Sequence, residues 1–86
     1  MEKEISFKEV FMEIDEVLCD PTSSKNVKKI CKEIKKTLSD DSKKPALKVD
    51  RAIQQLEELC EDVNVDSFTR MKLYNLSGSL ESVLRN

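Results

Sequence analysis

Histidine and tryptophan are absent from this 86-residue sequence, and glycine occurs only once. Without histidine the chain has no Ser/His or Cys/His pair, and the Glu-x-x-His motif of a di-iron bundle cannot occur. A single glycine cannot build a phosphate-binding loop. These absences remove the common catalytic sites. We therefore expect a protein that is not an enzyme, with no catalytic residues and no small-molecule substrate.

Cysteine is also scarce. Cys19, Cys31 and Cys60 are odd in number and far apart, which argues against a disulfide framework. No two of them form a C-x-x-C pair, so the sequence predicts no zinc site, no other metal and no cofactor.

Long apolar runs are missing as well. No stretch of about 18 apolar residues exists, and residues 1–4 lack the basic and apolar start of a signal peptide. We therefore expect a cytoplasmic location and no membrane partner. The length predicts one domain over residues 1–86, with residues 1–5 as a flexible N-terminal tail.

Charge, by contrast, is abundant. Charged residues make up 37% of the chain and hydrophobic residues 38%, against usual shares of about 25% and about 45–50%. This balance is typical of amphipathic helices with narrow apolar stripes and wide polar faces.

Four segments carry apolar residues at the i, i+3, i+4, i+7 spacing of a helix, and none alternates usefully with the period of a strand. The predicted stripes are Phe7, Val10, Phe11, Ile14, Val17 and Leu18; then Val27, Ile30, Cys31, Ile34 and Leu38; then Val49, Ala52, Ile53, Leu56, Leu59 and Cys60; and last Leu73, Leu76, Leu80, Val83 and Leu84.

Helix starts can also be predicted between these stripes. A capping box from Ser6 to Glu9 indicates the start of the first helix, and a serine pair at 23–24 offers an N-cap to the second. Pro45 suits the first position of the third helix, where its missing N–H costs nothing. Asp66 is the expected N-cap of the fourth.

The order of these features occurs twice along the chain. With a one-residue gap, the following residues coincide: Leu18 with Leu59, Cys19 with Cys60, Asp20 with Asp62, Thr22 with Asn64, and Lys28 with Arg70. Two helical hairpins can bury their stripes against each other. The sequence therefore predicts an all-α fold, a four-helix up-and-down bundle built from two repeated helical hairpins.

Three stretches of the chain resemble a known family. The segments LCDPT at 18–22, NVKK at 26–29 and KPALKVDRAI at 44–53 are similar to uncharacterised protein family 0147, a group of small archaeal proteins. The likeness runs over about residues 11–84, although members often have proline where this chain has Ser24 and Asp66. The resemblance implies a four-helix bundle, and it carries over no catalytic or binding residues.

The second predicted helix has a ridge of lysines opposite its apolar stripe. At about 100° per residue, one arc of about 100° holds Lys25, Lys28, Lys29, Lys32 and Lys36. Residues 25–51 carry 10 basic and 4 acidic groups, a net +6, although the whole chain is −2. An acidic ridge opposite the core is predicted on the first helix, formed by Glu9, Glu13, Glu16 and Asp20.

The outward face of the fourth predicted helix lacks charge. It holds Met71, Asn75, Gly78, Ser79 and Ser82, with Phe68 and Tyr74 at its edges. Small uncharged residues allow another helix to approach closely, so this face is a candidate partner interface. The alternative is that Phe68, Met71 and Tyr74 only widen the contact of the helix with its own core.

Two functions follow as hypotheses. The leading one is a non-enzymatic protein–protein interaction module that acts through the fourth helix, as a homodimer or with another protein. The alternative is a nucleic-acid or ribonucleoprotein accessory whose lysine ridge binds phosphates, because several cations on one face release counterions together. The ridge has no arginine or aromatic residue for base reading or stacking, which weakens this alternative, and the lysines can also be solvated surface that neighbouring helices complement.

Overall fold

The computed structural model describes residues 6–85, and side chains over residues 6–84. Four α-helices follow one another: α1 (Lys8–Cys19), α2 (Lys25–Leu38), α3 (Pro45–Cys60) and α4 (Ser67–Arg85). Each helix packs against its neighbours in sequence, and α1 also contacts α4, which closes the ring. The all-α, four-helix prediction is thus confirmed as a bundle of 44 × 21 × 21 Å. The predicted tail at residues 1–5 lies outside the described residues.

The core lies along the common axis of the four helices. It is formed by Val10, Ile14, Val17, Val27, Cys31, Ile34, Leu38, Val49, Ala52, Leu56, Leu59, Val65, Leu73, Leu76 and Leu80. Burial of these side chains is the main force that holds so charged a chain together. The predicted stripes are confirmed except at Leu84, which is 44% exposed. The 19-residue α4 is longer than the 12-residue α1 beside it, and Leu84 lies in its last turn.

The helix starts follow local capping chemistry. Ser24 Oγ accepts a hydrogen bond from Val27 N at 3.2 Å, and Pro45 occupies the first turn of α3, both as predicted. The predicted capping box on the first helix is wrong. Phe7 is the N-cap of α1, and Ser6 Oγ instead accepts from Lys8 N at 3.3 Å.

The two hairpins match each other without the gap that the sequence alignment used. Ile14 and Leu56, 42 positions apart, are both fully buried, and Val17 and Leu59, also 42 apart, are each 2% exposed. The pairing of Cys19 with Cys60 is therefore wrong: Cys19 is exposed, whereas Cys60 is half-buried against the core. The gap shifts α1 by one residue against α3, and one residue turns a helical side chain by about 100°, so the aligned side chains of the two helices point in different directions.

Candidate functional site

All three interhelical loops contain the same turn. In each, an aspartate Oδ1 accepts a hydrogen bond from the backbone N–H two residues later: Asp20 from Thr22 at 2.9 Å, Asp40 from Ser42 at 3.0 Å, and Asp62 from Asn64 at 2.9 Å. The hydroxyls of Thr22 and Ser42 donate to the same oxygens. This turn was not predicted from the sequence, although an Asp-x-Thr/Ser/Asn pattern that recurs every 20 to 22 residues indicates it.

The side chains of Arg70 and Lys48 each donate to a backbone carbonyl at the C-terminal end of the helix before their own. Each stands eight residues after the aspartate of its loop. Arg70 donates through Nε to Cys60 O at 3.0 Å and through Nη2 to Asp62 O at 3.2 Å and Val65 O at 3.1 Å. Lys48, only 6% exposed, donates through Nζ to Leu38 O at 3.1 Å. Both cations satisfy carbonyls that the helix leaves open at its C-terminus.

In the α1–α2 loop, a serine hydroxyl and not a cation donates to a carbonyl at the end of the preceding helix. Ser23 Oγ is buried and donates to Val17 O at 2.9 Å. The side chain of Lys28, at the position that corresponds to Arg70, donates no hydrogen bond to the described residues and stays half-buried at the surface. The predicted equivalence of Lys28 and Arg70 therefore holds for position and not for role.

The lysine ridge of Lys25, Lys28, Lys29, Lys32 and Lys36 lies at the surface of α2. Only Lys28 is half-buried, and the other four are exposed. Within the described part of the chain, the ion pairs are Lys35 with Asp15 at 2.7 Å and Lys72 with Asp20 at 2.9 Å. No carboxylate of that part lies within 4 Å of a ridge lysine, so neighbouring helices do not complement the ridge through ion pairs.

The acidic ridge predicted on α1 is wrong for two of its four members. Glu13 Oε1 accepts from Ser79 Oγ at 2.9 Å, and Asp20 Oδ2 accepts from Lys72 Nζ at 2.9 Å. Both carboxylates therefore face α4, because these α4 side chains supply their partners. Hydrogen bonds from Thr22, and next from Lys72, lower the pKa of Asp20 to about 2. Glu9 and Glu16 are exposed, as predicted.

Large apolar side chains are exposed on α4. Phe68 is 62% exposed, Met71 61% and Tyr74 59%, so the alternative that they widen the core contact is wrong. Asn75, Gly78 and Ser82 are exposed with them. Ser79 is not part of this face, because its hydroxyl is bound to Glu13 between α1 and α4.

Five of these residues form one straight line on the helix. The α4 seam, as we call it, consists of Phe68, Met71, Asn75, Gly78 and Ser82, which follow each other at intervals of three and four. This is the spacing of the a and d positions of a coiled coil. A Cβ built on Gly78 meets no atom within 4 Å, so the fold of the monomer leaves this position open. Lys72 Nζ lies 4.6 Å from the Phe68 ring centroid at one edge of the seam.

The pocket, the buried thiol and the acidic side chains of the described structure give weaker indications of a functional site. An open pocket of about 530 Å³ lies beside the α2–α3 loop between Phe7, Phe11 and Lys48, but the ammonium of Lys48 is already bound to Leu38 O. Burial raises the pKa of the Cys31 thiol to about 11, so that thiol stays protonated at neutral pH. Among the described residues, no three Asp, Glu or Cys side chains converge as metal ligands. Nor is any helix in that part both long and apolar enough to cross a membrane.

Comparison with other sequences decides the family. Residues 1–83 match the Uncharacterised protein family (UPF0147). The chain belongs to this family. A UPF0147 protein of Thermoplasma volcanium is 32% identical over 93% of the chain and 90% of its own length. A UPF0147 protein of Thermococcus kodakarensis is 32% identical over 80% of the chain and 83% of its own length.

The UPF0147 relatives span nearly the same length as this chain. One from Sulfurisphaera tokodaii is 27% identical over 95% of the chain and 92% of its own length, and it too is from an archaeon. No solved structure matches the chain. The resemblance found in the short segments is thus confirmed over nearly the full chain, and the names of these relatives state no activity.

Proposed function

We propose that this UPF0147 protein is a non-enzymatic interaction module that binds a second copy of itself through the α4 seam. The observation that carries the proposal is the exposure of Phe68 and Met71 in an uncharged seam with coiled-coil spacing, with Tyr74 exposed beside it. In a chain with 37% charged residues, such a face stands out from the rest of the surface. An uncharged seam suits a second seam of the same kind, because none of its five side chains carries a charge that contact would desolvate.

The exposed area predicts a weak dimer. A large side chain that is about 60% exposed offers roughly 100–150 Å² for burial. Three such side chains from each copy give roughly 600–900 Å², and the rest of the seam raises this to about 1,000 Å². Stable interfaces bury about 1,200–2,000 Å² in total. We therefore expect dissociation in the micromolar range.

Met71→Glu tests the proposal, with Met12→Glu as its matched control. Met12 on α1 is 59% exposed and Met71 is 61% exposed, so the two methionines match in chemistry and nearly in burial. We expect the unmodified protein and Met12→Glu to gain mass with concentration in light scattering, independently of salt. Met71→Glu should stay a monomer at the same concentrations. Equal behaviour of the two variants would remove α4 as the interface.

A second candidate function is binding of nucleic acid, alone or in a ribonucleoprotein, and it is supported by the lysine ridge, which forms no ion pair with the described residues. Like charges three or four positions apart on a helix each cost about 0.2–0.5 kcal/mol. The ridge contains several such pairs, and no carboxylate in the described part of the chain lies within 4 Å of its ammonium groups. A polyanion would relieve their repulsion. The helices α2 and α4 each pack between α1 and α3, so the ridge and the α4 seam occupy different corners of the bundle.

Charge reversal tests this candidate. Lys29→Glu with Lys32→Glu changes two exposed ridge lysines, and Lys43→Glu with Lys44→Glu makes the same charge change in the next loop. Fluorescence anisotropy with a single-stranded RNA should show binding that weakens with salt. The ridge pair should lower the slope of log K against log salt by about 1.4, since each lost phosphate contact removes about 0.7. If the loop pair lowers the slope equally, the ridge has no special role.

The finer architecture and the location belong to the proposal as well. We infer an up-and-down bundle of two repeated hairpins. Asn26 Nδ2 donates to Asp62 Oδ2 at 3.3 Å, which supports a shared end for the α1–α2 and α3–α4 loops. Equal burial 42 positions apart supports the repeat. A cytoplasmic location stays a prediction from the sequence.

A further inference from the structure

We propose that the second copy lies antiparallel on α4, with Met71 of each copy over Ser82 of the other and Asn75 over Gly78. This inference rests on the proposed function, because it fixes how the same two surfaces meet. It follows from the order of side-chain sizes along the α4 seam.

The α4 seam has a large end and a small end. Phe68 and Met71 lie in its N-terminal half, whereas Gly78 and Ser82 lie in its C-terminal half. Buried side chains pack densely, and the atoms that line an unfilled space between two helices lose contacts. A stable pairing therefore has to bring the large end of one helix against the small end of the other.

A parallel pair fails this condition. It stacks like on like, so Met71 meets Met71 and Gly78 meets Gly78. The helices would be held apart at the large end and would leave a gap at the small end. An antiparallel pair with its twofold axis between Asn75 and Gly78 meets the condition between residues 71 and 82, because Met71 then faces Ser82 and Asn75 faces Gly78.

Charge also favours the antiparallel pair. In two antiparallel helices, flanking positions on the same side of the seam meet across it. On the side toward α3, Tyr74 then stands opposite Glu81 of the second copy, where its hydroxyl can donate to the carboxylate. On the side toward α1, Lys72 keeps its ion pair with Asp20 and stands opposite Ser79 of the second copy. Among residues 67–84, no like charges meet across the seam.

Open space at Gly78 fits the same arrangement. A Cβ there touches nothing in the monomer, so the glycine is not required by the fold of one chain. At the twofold axis it would lie where the two helix backbones come closest. Asn75 beside it is the single polar residue with a long side chain in the α4 seam, and one such residue at an a position commonly fixes the register of a coiled coil.

Disulfide trapping tests the register. Cys19 and Cys60 are replaced by serine, and buried Cys31 is kept because its protonated thiol does not compete. Met71→Cys and Ser82→Cys are then made separately, one with a mass tag, mixed, and oxidised at a concentration where light scattering shows dimers. Met12→Cys, at an exposed position of α1, measures the yield of disulfide that random collisions produce.

The mixed Met71–Ser82 disulfide should exceed either same-site product by at least about tenfold. In the antiparallel register two Met71 positions stand about 16 Å apart along the axis, whereas a disulfide spans Cα atoms at most about 7 Å apart. A dominant Met71–Met71 product overturns the antiparallel direction and leaves the dimer standing. A dimer that forms no disulfide above the Met12→Cys background overturns the register. A protein that stays monomeric at every concentration overturns the proposed function itself.

Discussion

Arg70 is expected to hold the α3–α4 loop through three backbone carbonyls. Its side chain donates to Cys60 O, Asp62 O and Val65 O at 3.0 to 3.2 Å. Met in its place keeps much of the apolar stem but removes every donor. The perturbation we propose is therefore Arg70→Met, with Arg70→Lys as an intermediate case.

The expected cost can be worked from these contacts. A hydrogen bond to a charged group contributes about 1.5–3 kcal/mol, and the three bonds of one side chain are not additive. Arg70 is half-buried, so water can reach some of the freed carbonyls. We expect Arg70→Met to lower the free energy of unfolding by about 3 kcal/mol and the melting temperature by about 12–24 °C. Lysine keeps one charge but cannot span all three carbonyls, so about half that loss is expected.

Urea denaturation followed by circular dichroism measures the effect, with Arg51→Met as the control. Arg51 is exposed on α3 and forms no ion pair with the described residues, so its replacement should change the free energy of unfolding by less than about 0.5 kcal/mol. The slope m should be unchanged in all three variants. If Arg70→Met costs no more than Arg51→Met, the carbonyl contacts do not stabilise the loop and this reasoning fails.

Two further predictions concern α4 and the loop aspartates. Gly78→Ala should stabilise the monomer by about 0.5–1 kcal/mol in urea, because alanine favours a helix and its Cβ meets nothing within 4 Å. The same variant should weaken the dimer in light scattering. A less stable monomer would contradict this prediction. The pKa of Asp20 is about 2 in the folded chain against an ordinary 3.8, mainly because Thr22 donates to it. Its stabilising effect is therefore complete above about pH 4 and is lost as the pH falls toward 2. Asp20→Asn should lower the urea midpoint at pH 7 and flatten its decline between pH 4 and 2, and a decline as steep as that of the unmodified protein would count against this assignment.

Local periodicity was enough to predict the helices and most of the core. Apolar residues three and four apart must share a helix face, so Ile14, Ile34 and Leu56 could be placed in the core without a structure. Pro45 and Ser24 mark helix starts for equally local reasons. These features depend only on residues within one or two turns.

Features that depend on a neighbouring helix could not be predicted in this way. Asn75 and Ser79 are both polar and one turn apart, yet among the described residues only the Ser79 side chain finds a partner, Glu13 on α1. Lysine is rarely buried, so nothing local indicates that Lys48 reaches the carbonyl of Leu38. In each case the deciding partner comes from another helix.

The closure of α1 on α4 has a consequence for folding kinetics. The other helix pairs are neighbours in sequence and are joined by short loops, whereas the bonds from Lys72 to Asp20 and from Ser79 to Glu13 join residues 52 and 66 positions apart. The entropy lost on closing a loop grows with its length, so this contact should form last and open first. Because α4 carries both this contact and the exposed face, a second copy bound there would slow the first step of unfolding.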